Sequence, residues 1–69
     1  MIIYTLPYCA KCDTMKRMMN EEGIPYEEVL ITEDIAKKKD FMEAPVLEHS
    51  GNYIRGMAPR SKIRELYGT

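Results

Sequence analysis

The sequence predicts an α/β domain in which a mixed four-stranded sheet is flanked by three helices. Short runs of β-branched and aromatic residues alternate with runs of helical periodicity, and turn residues separate them in the order β-α-β-α-β-β-α. A helix joins the first two strands, so we expect these strands to be parallel and the crossover to be right-handed. With 69 residues the chain is at most one domain, and we expect residues 1–69 to form it.

The first strand and the first helix are predicted in the N-terminal third of the chain. β-branched and aromatic residues over 2–5 indicate a strand, which Pro7 ends. A helix is expected from residue 10 to about 22, with Gly23 in the position of a C-terminal cap. Its buried face should carry the methionines that recur at helical spacing, which are Met15, Met18 and Met19.

The rest of the chain is expected to form a strand, a short helix, a β-hairpin and a last helix. Thr32 is suited to cap the short helix, because its hydroxyl can accept from a free amide of the first turn. Residues 50–52, Ser-Gly-Asn, are typical of a hairpin turn, and Pro59 suits the first turn of the last helix. The predicted bounds are 26–31, 45–49 and 53–55 for the strands, and 33–40 and 59–67 for the helices.

The two cysteines, Cys9 and Cys12, stand where the first strand runs into the first helix. Two intervening residues place both thiols on one face of the first helical turn, and the free amides at that turn favour a thiolate on Cys9. A disulfide between them closes a very short loop, so it would stabilise the fold little. The pair therefore indicates thiol–disulfide exchange rather than a structural bridge.

Other interpretations of these residues stay open at this stage. The cysteines could form half of a metal or iron–sulfur site, although thiol-rich zinc sites use four ligands and only His49 is available besides. In that case the chain is a metal-binding or interaction module. We expect His49 to be an exposed residue at the hairpin end. Lys11 either helps to stabilise the Cys9 thiolate or is simply exposed, and residues 37–39, three lysines, are either a solvated helix face or a contact for a carboxylate.

Composition excludes several functional classes. The net charge of -1 and the pI near 5.8 give no electrostatic reason to expect nucleic acid or an anionic membrane surface as a partner. No apolar run is long enough to span a bilayer, and the N-terminal residues do not resemble a signal peptide. Two cysteines without a disulfide framework are typical of a reducing compartment. We therefore expect a cytoplasmic, monomeric protein.

Three segments together resemble the thioredoxin fold in its shortest form. They are Pro7-Tyr8-Cys9-Ala10-Lys11-Cys12, then Ala44-Pro45-Val46, then Gly56-Met57-Ala58-Pro59 followed by Lys62-Ile63. The group that the chain is most similar to is the glutaredoxin-like group and, within it, the NrdH-type redoxins. The resemblance implies a minimal glutaredoxin-like fold that covers essentially the whole chain.

The resemblance also implies a role for each matching residue. Cys9 would be the attacking thiolate and Cys12 the resolving thiol of a thiol–disulfide oxidoreductase. Pro45 would be the cis-proline of the family, which leaves the backbone of Ala44 free to pair with an extended substrate. The substrate-binding residues that follow from the resemblance are Tyr8, Lys11, Ala44, Pro45 and Gly56.

Redox partners are implied by the same resemblance. No cofactor would be bound; electrons would come from NADPH through thioredoxin reductase, or from glutathione. The acceptor would be a protein disulfide, with ribonucleotide reductase as the acceptor to which the resemblance points. The chain lacks the Gly-Gly pair and the basic residue before Cys9 with which glutaredoxins usually hold glutathione, and residues 54–59 lack the Trp, Phe and Arg typical of NrdH-type redoxins. Both a glutathione-dependent glutaredoxin and a carrier served by thioredoxin reductase therefore stay open.

Overall fold

A computed structural model describes residues 1–69 and shows the predicted order of elements. The elements are β1 (Ile2–Thr5), α1 (Ala10–Glu21), β2 (Glu27–Leu30), α2 (Glu33–Lys39), β3 (Val46–His49), β4 (Asn52–Arg55) and α3 (Arg60–Tyr67). The predicted α/β class with three helices and a mixed four-stranded sheet is confirmed. None of the three helices combines the length and the apolar character that crossing a membrane would require.

The sheet has the strand order β2-β1-β3-β4. β1 is parallel to β2, as the helical connection predicted, and β3 is antiparallel to both β1 and β4. Tyr4 of β1 stands opposite Val29 of β2 on one side and Val46 of β3 on the other. The end of β1 and the start of β3 therefore meet at the same edge of the sheet. At that edge the segment 6–9 leaves β1 and the loop 40–45 enters β3.

Both faces of the sheet are covered by helices. Neighbouring residues of a strand point to opposite faces, and Ile3 and Leu47 accordingly face α1 and α3, while Tyr4 and Val46 face α2. The larger cluster consists of Ile3, Met15, Met19, Ile24, Leu47, Ala58, Ile63 and Leu66. The smaller one is Tyr4, Phe41 and Val46, against which Ile35 of α2 packs. The methionine face of α1 is thus part of the core, as predicted.

Three strands differ from their predicted bounds by one residue at one or both ends, and β3 begins at Val46 instead of Pro45. β2 covers 27–30 instead of 26–31, because its four residues already pair with all four residues of β1. β4 begins at Asn52, because Ser50 and Gly51 alone form the hairpin loop and both have a positive φ, at 50° and 80°. A two-residue loop with positive φ at both positions matches the right-handed twist of the strands that it joins. The turn therefore involves two residues instead of three.

The helix ends follow from local capping. Thr32 caps α2 as predicted, its hydroxyl accepting from the amide of Ile35 at 3.3 Å. Asp40, expected inside that helix, is its left-handed C-cap with φ at 57°. Gly23 follows α1 with φ at 70°, a conformation that suits glycine after a helix. Pro59 is the N-cap of α3 rather than a residue of its first turn.

A chain of polar side chains fixes the start of α1 over the sheet. The buried hydroxyl of Thr5 donates to Glu28 Oε2 at 2.9 Å, and Lys16 Nζ donates to the same oxygen at 3.1 Å. Lys16 also lies 3.5 Å from the carboxylate of Asp13 in the first turn of α1. The hydrogen bonds from Thr5 and then Lys16 lower the pKa of Glu28, and the hydrogen bond to Glu28 raises the pKa of Lys16. The chain links β1, β2 and α1.

The polar chain predicts a pH-dependent effect of Thr5→Val. This change removes the donor and keeps the shape, so the pKa of Glu28 should rise towards its ordinary value of 4.5. A carboxylate with a lowered pKa in the folded state stabilises the fold above the unfolded pKa, and that contribution is lost as pH falls through the folded pKa. The variant should be less stable by about 1 kcal/mol at neutral pH, with a smaller deficit in strong acid. Carbon-detected NMR titration of Glu28 and urea unfolding across this pH range measure both effects.

Thr14→Val is the matched control for this prediction. The Thr14 hydroxyl donates to the carbonyl of Ala10 within α1 and does not contact Glu28. The same chemical change there should leave the pKa of Glu28 where it is in the unaltered protein. An unchanged Glu28 titration in Thr5→Val would contradict the role given to the hydroxyl.

Ile63 of α3 is buried in the same cluster as Ile3 and Leu47 of the sheet, so we expect α3 to unfold together with the sheet. Ile63→Val should lower the free energy of unfolding by about 0.5–1.5 kcal/mol, because one buried methyl group is lost. Met42 is 91% exposed, and Met42→Ala should change that free energy by less than about 0.5 kcal/mol. Circular dichroism and tyrosine fluorescence should report one common urea transition. Two separate transitions would contradict the expectation that residues 1–69 are a single domain.

Candidate active site

The two cysteines occupy the first turn of α1 and are joined in a disulfide, with their Cα atoms 5.2 Å apart. Cys9 is the N-cap of the helix, and its Sγ accepts a hydrogen bond from the amide of Cys12 at 3.1 Å. Cys9 is partly exposed, whereas Cys12 lies on the buried face of the helix and is only 1% exposed. An incoming thiol or disulfide can therefore reach the sulfur of Cys9 and not that of Cys12.

The N-cap position also favours a negative charge on the sulfur of Cys9. The first amides of a helix have no partner within the helix, and the aligned peptide dipoles add a partial positive charge there. α1 has 12 residues, so this dipole is well developed. After reduction, the amide of Cys12 is placed to stabilise a thiolate on Cys9.

Tyr8 forms the turn that brings Cys9 to the N-cap. Its φ is 57°, a left-handed conformation that is uncommon for a residue other than glycine. The chain bends sharply here between Pro7 and the helix, and the Tyr8 side chain is left fully exposed. An aromatic ring next to the accessible sulfur, without any packing of its own, is suited to contact a partner.

The loop before β3 brings two further predicted residues together. The Ala44–Pro45 peptide bond is cis, Pro45 is fully buried, and its carbonyl accepts from the amide of Gly56 at 2.7 Å. No backbone hydrogen bond within the chain uses the amide or the carbonyl of Ala44. Because β3 pairs with β1 from Val46 onwards, these residues lie at the sheet edge from which the segment leading to Cys9 departs.

Gly56 has little tolerance for a side chain. The reason is its φ of 82°, which strains other residues; space is not limiting, because a β-carbon there would lie at ordinary contact distance, 3.6 Å from Oε1 of Glu43. The structure thus places Pro45 and Gly56 in contact, and Cys9 and Cys12 in contact. Lys11 is exposed on α1 and forms no ion pair, so the choice between its two roles stays a prediction.

The remaining basic and metal-ligating candidates contact residues outside the cysteine site or have no further metal-ligating side chains beside them. Lys39 lies 3.7 Å from Glu48 and 3.5 Å from the hydroxyl of Tyr53, whose hydrogen bond raises the pKa of Lys39. His49 lies at the hairpin end as expected, but it is half-buried rather than exposed, and its ring centroid lies 5.3 Å from that of Tyr67. No group of three or more His, Cys, Asp and Glu side chains is arranged to hold a metal ion.

The structure adds a groove that no sequence pattern indicated. It has a volume of about 250 Å³ and lies between Leu6, which follows β1, and Met42 in the loop before Pro45. Glu33 and Glu43 also line it. Leu6 and Met42 belong to no strand or helix, so periodicity could not have assigned them to a site.

Comparison with known proteins gives one match. The family model described as Glutaredoxin matches residues 1–54, a region that contains the cysteine pair, the Ala44–Pro45 bond and all of the sheet except its last residue. No curated protein and no solved structure matches the chain significantly. The match spans well over half of the sequence, and the predicted family agrees with it: the chain belongs to the glutaredoxin family.

Proposed function

We propose that the protein is a dithiol electron carrier that reduces disulfides in other proteins through Cys9 and Cys12. The observation that carries this proposal is the unequal exposure of the two sulfurs at the start of α1. Family membership and the disulfide-forming pair support thiol–disulfide oxidoreductase activity in general. The division of labour between the cysteines and the identity of the substrate belong to the proposal.

The reaction proceeds in two exchanges. Cys9 thiolate attacks one sulfur of the substrate disulfide; that bond breaks, and the other substrate sulfur leaves as a thiolate, which takes up a proton. Cys12, having lost its proton, then attacks Cys9 Sγ in the mixed disulfide and releases the second substrate thiolate. The substrate gains two electrons and two protons, and the protein is left with the Cys9–Cys12 bond.

The surroundings of the cysteines support binding of an extended polypeptide. The free amide and carbonyl of Ala44 can pair with the backbone of a substrate segment, in the manner of an added strand. Tyr8 lies next to Cys9 with its ring uncovered. In our proposal Lys11, Pro45 and Gly56 complete the substrate-binding surface.

In our proposal the protein acts as a monomer in the cytoplasm. The oxidised protein is reduced again in this reducing compartment. The electrons come from NADPH through thioredoxin reductase, and ribonucleotide reductase is the acceptor to which the resemblance points. Glutathione is the second candidate for the reductant, and membership of the glutaredoxin family favours it.

An assay of NADPH consumption separates the two reductants. The oxidised protein is incubated with thioredoxin reductase in one reaction, and with glutathione and glutathione reductase in the other. We expect turnover with thioredoxin reductase and little with glutathione. Turnover with glutathione alone would make glutathione the reductant, and turnover with neither would contradict both assignments.

Single cysteine variants test the roles of the two sulfurs. Cys9→Ser should abolish exchange, because no accessible nucleophile is left. Cys12→Ser should still attack a protein disulfide but should accumulate the mixed disulfide, which non-reducing mass spectrometry detects. Because a serine hydroxyl is close in size to the thiol, circular dichroism should show both variants folded.

Two results would oppose this mechanism. Full turnover of Cys12→Ser would show that no resolving thiol is needed for protein disulfides. A mixed disulfide formed through Cys12 in the Cys9→Ser variant would show that the buried sulfur is the attacking one.

A further inference from the structure

The groove between Leu6 and Met42 lies beside the reactive cysteine. Leu6 is separated from Cys9 only by Pro7 and Tyr8, and Met42 is separated from Pro45 only by two residues. The groove therefore flanks both segments that the proposed function assigns to substrate contact.

The walls of the groove include exposed apolar side chains. Met42 is 91% exposed and Leu6 is 42% exposed, while Phe41 is buried beneath them. Exposed apolar side chains gathered around a concave surface are typical of an interaction site. Whole small-molecule ligands usually occupy ~300–1,000 Å³, so a groove of about 250 Å³ is better matched to one apolar side chain.

The charged residues of the groove are both acidic. Glu33 and Glu43 are exposed and form no ion pair within the chain, in contrast to Glu21, Glu22 and Glu28. No lysine, arginine or histidine lines the groove. Arg55 stacks over Phe41 at 5.3 Å, but its guanidinium donates to the carbonyl of Asp40 and does not line the groove.

This charge distribution discriminates between partners. Glutathione carries two carboxylates and one ammonium group, so its net charge is negative; the two unpaired glutamates disfavour it, and no basic side chain lines the groove to bind its carboxylates. A lysine or arginine next to an apolar residue meets complementary charge, because the apolar side chain enters the groove and the cation reaches the carboxylates at its wall.

We infer that the groove selects protein substrates in which an apolar residue followed by a lysine or arginine adjoins the reacting disulfide. Leu6, Phe41 and Met42 bind the apolar side chain, and Glu33 and Glu43 bind the cation. This inference rests on the proposed reduction of protein disulfides and names the substrate class for it.

Peptide substrates of defined charge test the inference. Two end-blocked peptides are each dimerised through one cysteine disulfide; one carries Cys-Leu-Lys and the other Cys-Leu-Glu in an otherwise identical sequence. Reduced protein is mixed with each peptide or with glutathione disulfide, and the rate constant comes from acid-quenched single turnovers. Each rate constant is divided by that for neutral dithiothreitol, which corrects for the intrinsic reactivity of the disulfide.

The lysine peptide should react faster than the glutamate peptide, on the order of tenfold at low salt. The difference should shrink at 1 M salt, where the screening length falls to about 3 Å. Glutathione disulfide should react more slowly than the lysine peptide. Glu33→Gln/Glu43→Gln should abolish the preference, and Glu33→Lys/Glu43→Lys should reverse it.

Glu27→Gln/Glu65→Gln is the matched control. It neutralises two exposed carboxylates outside the groove that form no ion pair, so it changes the net charge equally and should keep the preference. Equal rates for the two peptides, a faster glutamate peptide, glutathione disulfide at the rate of the lysine peptide, or loss of preference in the control would each overturn the inference. The proposed function would survive these results, whereas failure of every disulfide to react would overturn both.

Discussion

The chemistry of the site depends on one contact, the hydrogen bond from the Cys12 amide to the sulfur of Cys9 at the first turn of α1. For this contact to exist, β1 must end at the sheet edge and the chain must reverse direction within a few residues. Tyr8 supplies the reversal with its left-handed backbone, and Met15 and Met19 anchor the helix in the core. A cysteine placed elsewhere on the helix would lack the free amides and the positive end of the dipole.

The rest of the fold supplies a second wall for this site. β3 runs antiparallel to β1, so the loop that enters β3 lies at the edge where α1 begins. The hydrogen bond from the amide of Gly56 to the carbonyl of Pro45 links that loop to the segment that follows β4. On the far side of the molecule, Arg60 and Arg64 pair with Glu21 and Glu22 and hold α3 against α1. These ion pairs link the two helices, whereas Glu33 and Glu43, the two carboxylates that line the groove, are left without partners.

Sequence patterns predict those features that depend on neighbouring residues. The cysteine spacing, the Thr32 cap and the helical spacing that buries Met15 and Met19 are local properties, and the structure agrees with each. The substrate groove and the link from Thr5 to Glu28 join residues that are distant in the chain. Their formation depends on strand order and register, which no local periodicity encodes. The two-residue hairpin loop belongs to the same class, because pairing of His49 with Asn52 decides its length.

In our proposal, reaction and selection are carried by different parts of this chain. The cysteines and the amides that stabilise a thiolate belong to the first turn of α1, whereas Glu33 belongs to α2, and Met42 and Glu43 to the loop before β3. A charge change in the groove alters which disulfides approach, and the chemistry of Cys9 stays as the helix determines it. Conversely, glutathione disulfide and a protein disulfide present the same kind of S–S bond to Cys9, so the cysteines alone cannot discriminate between them. In a chain of 69 residues, the loop between α2 and β3 is therefore where we expect substrate preference to be determined.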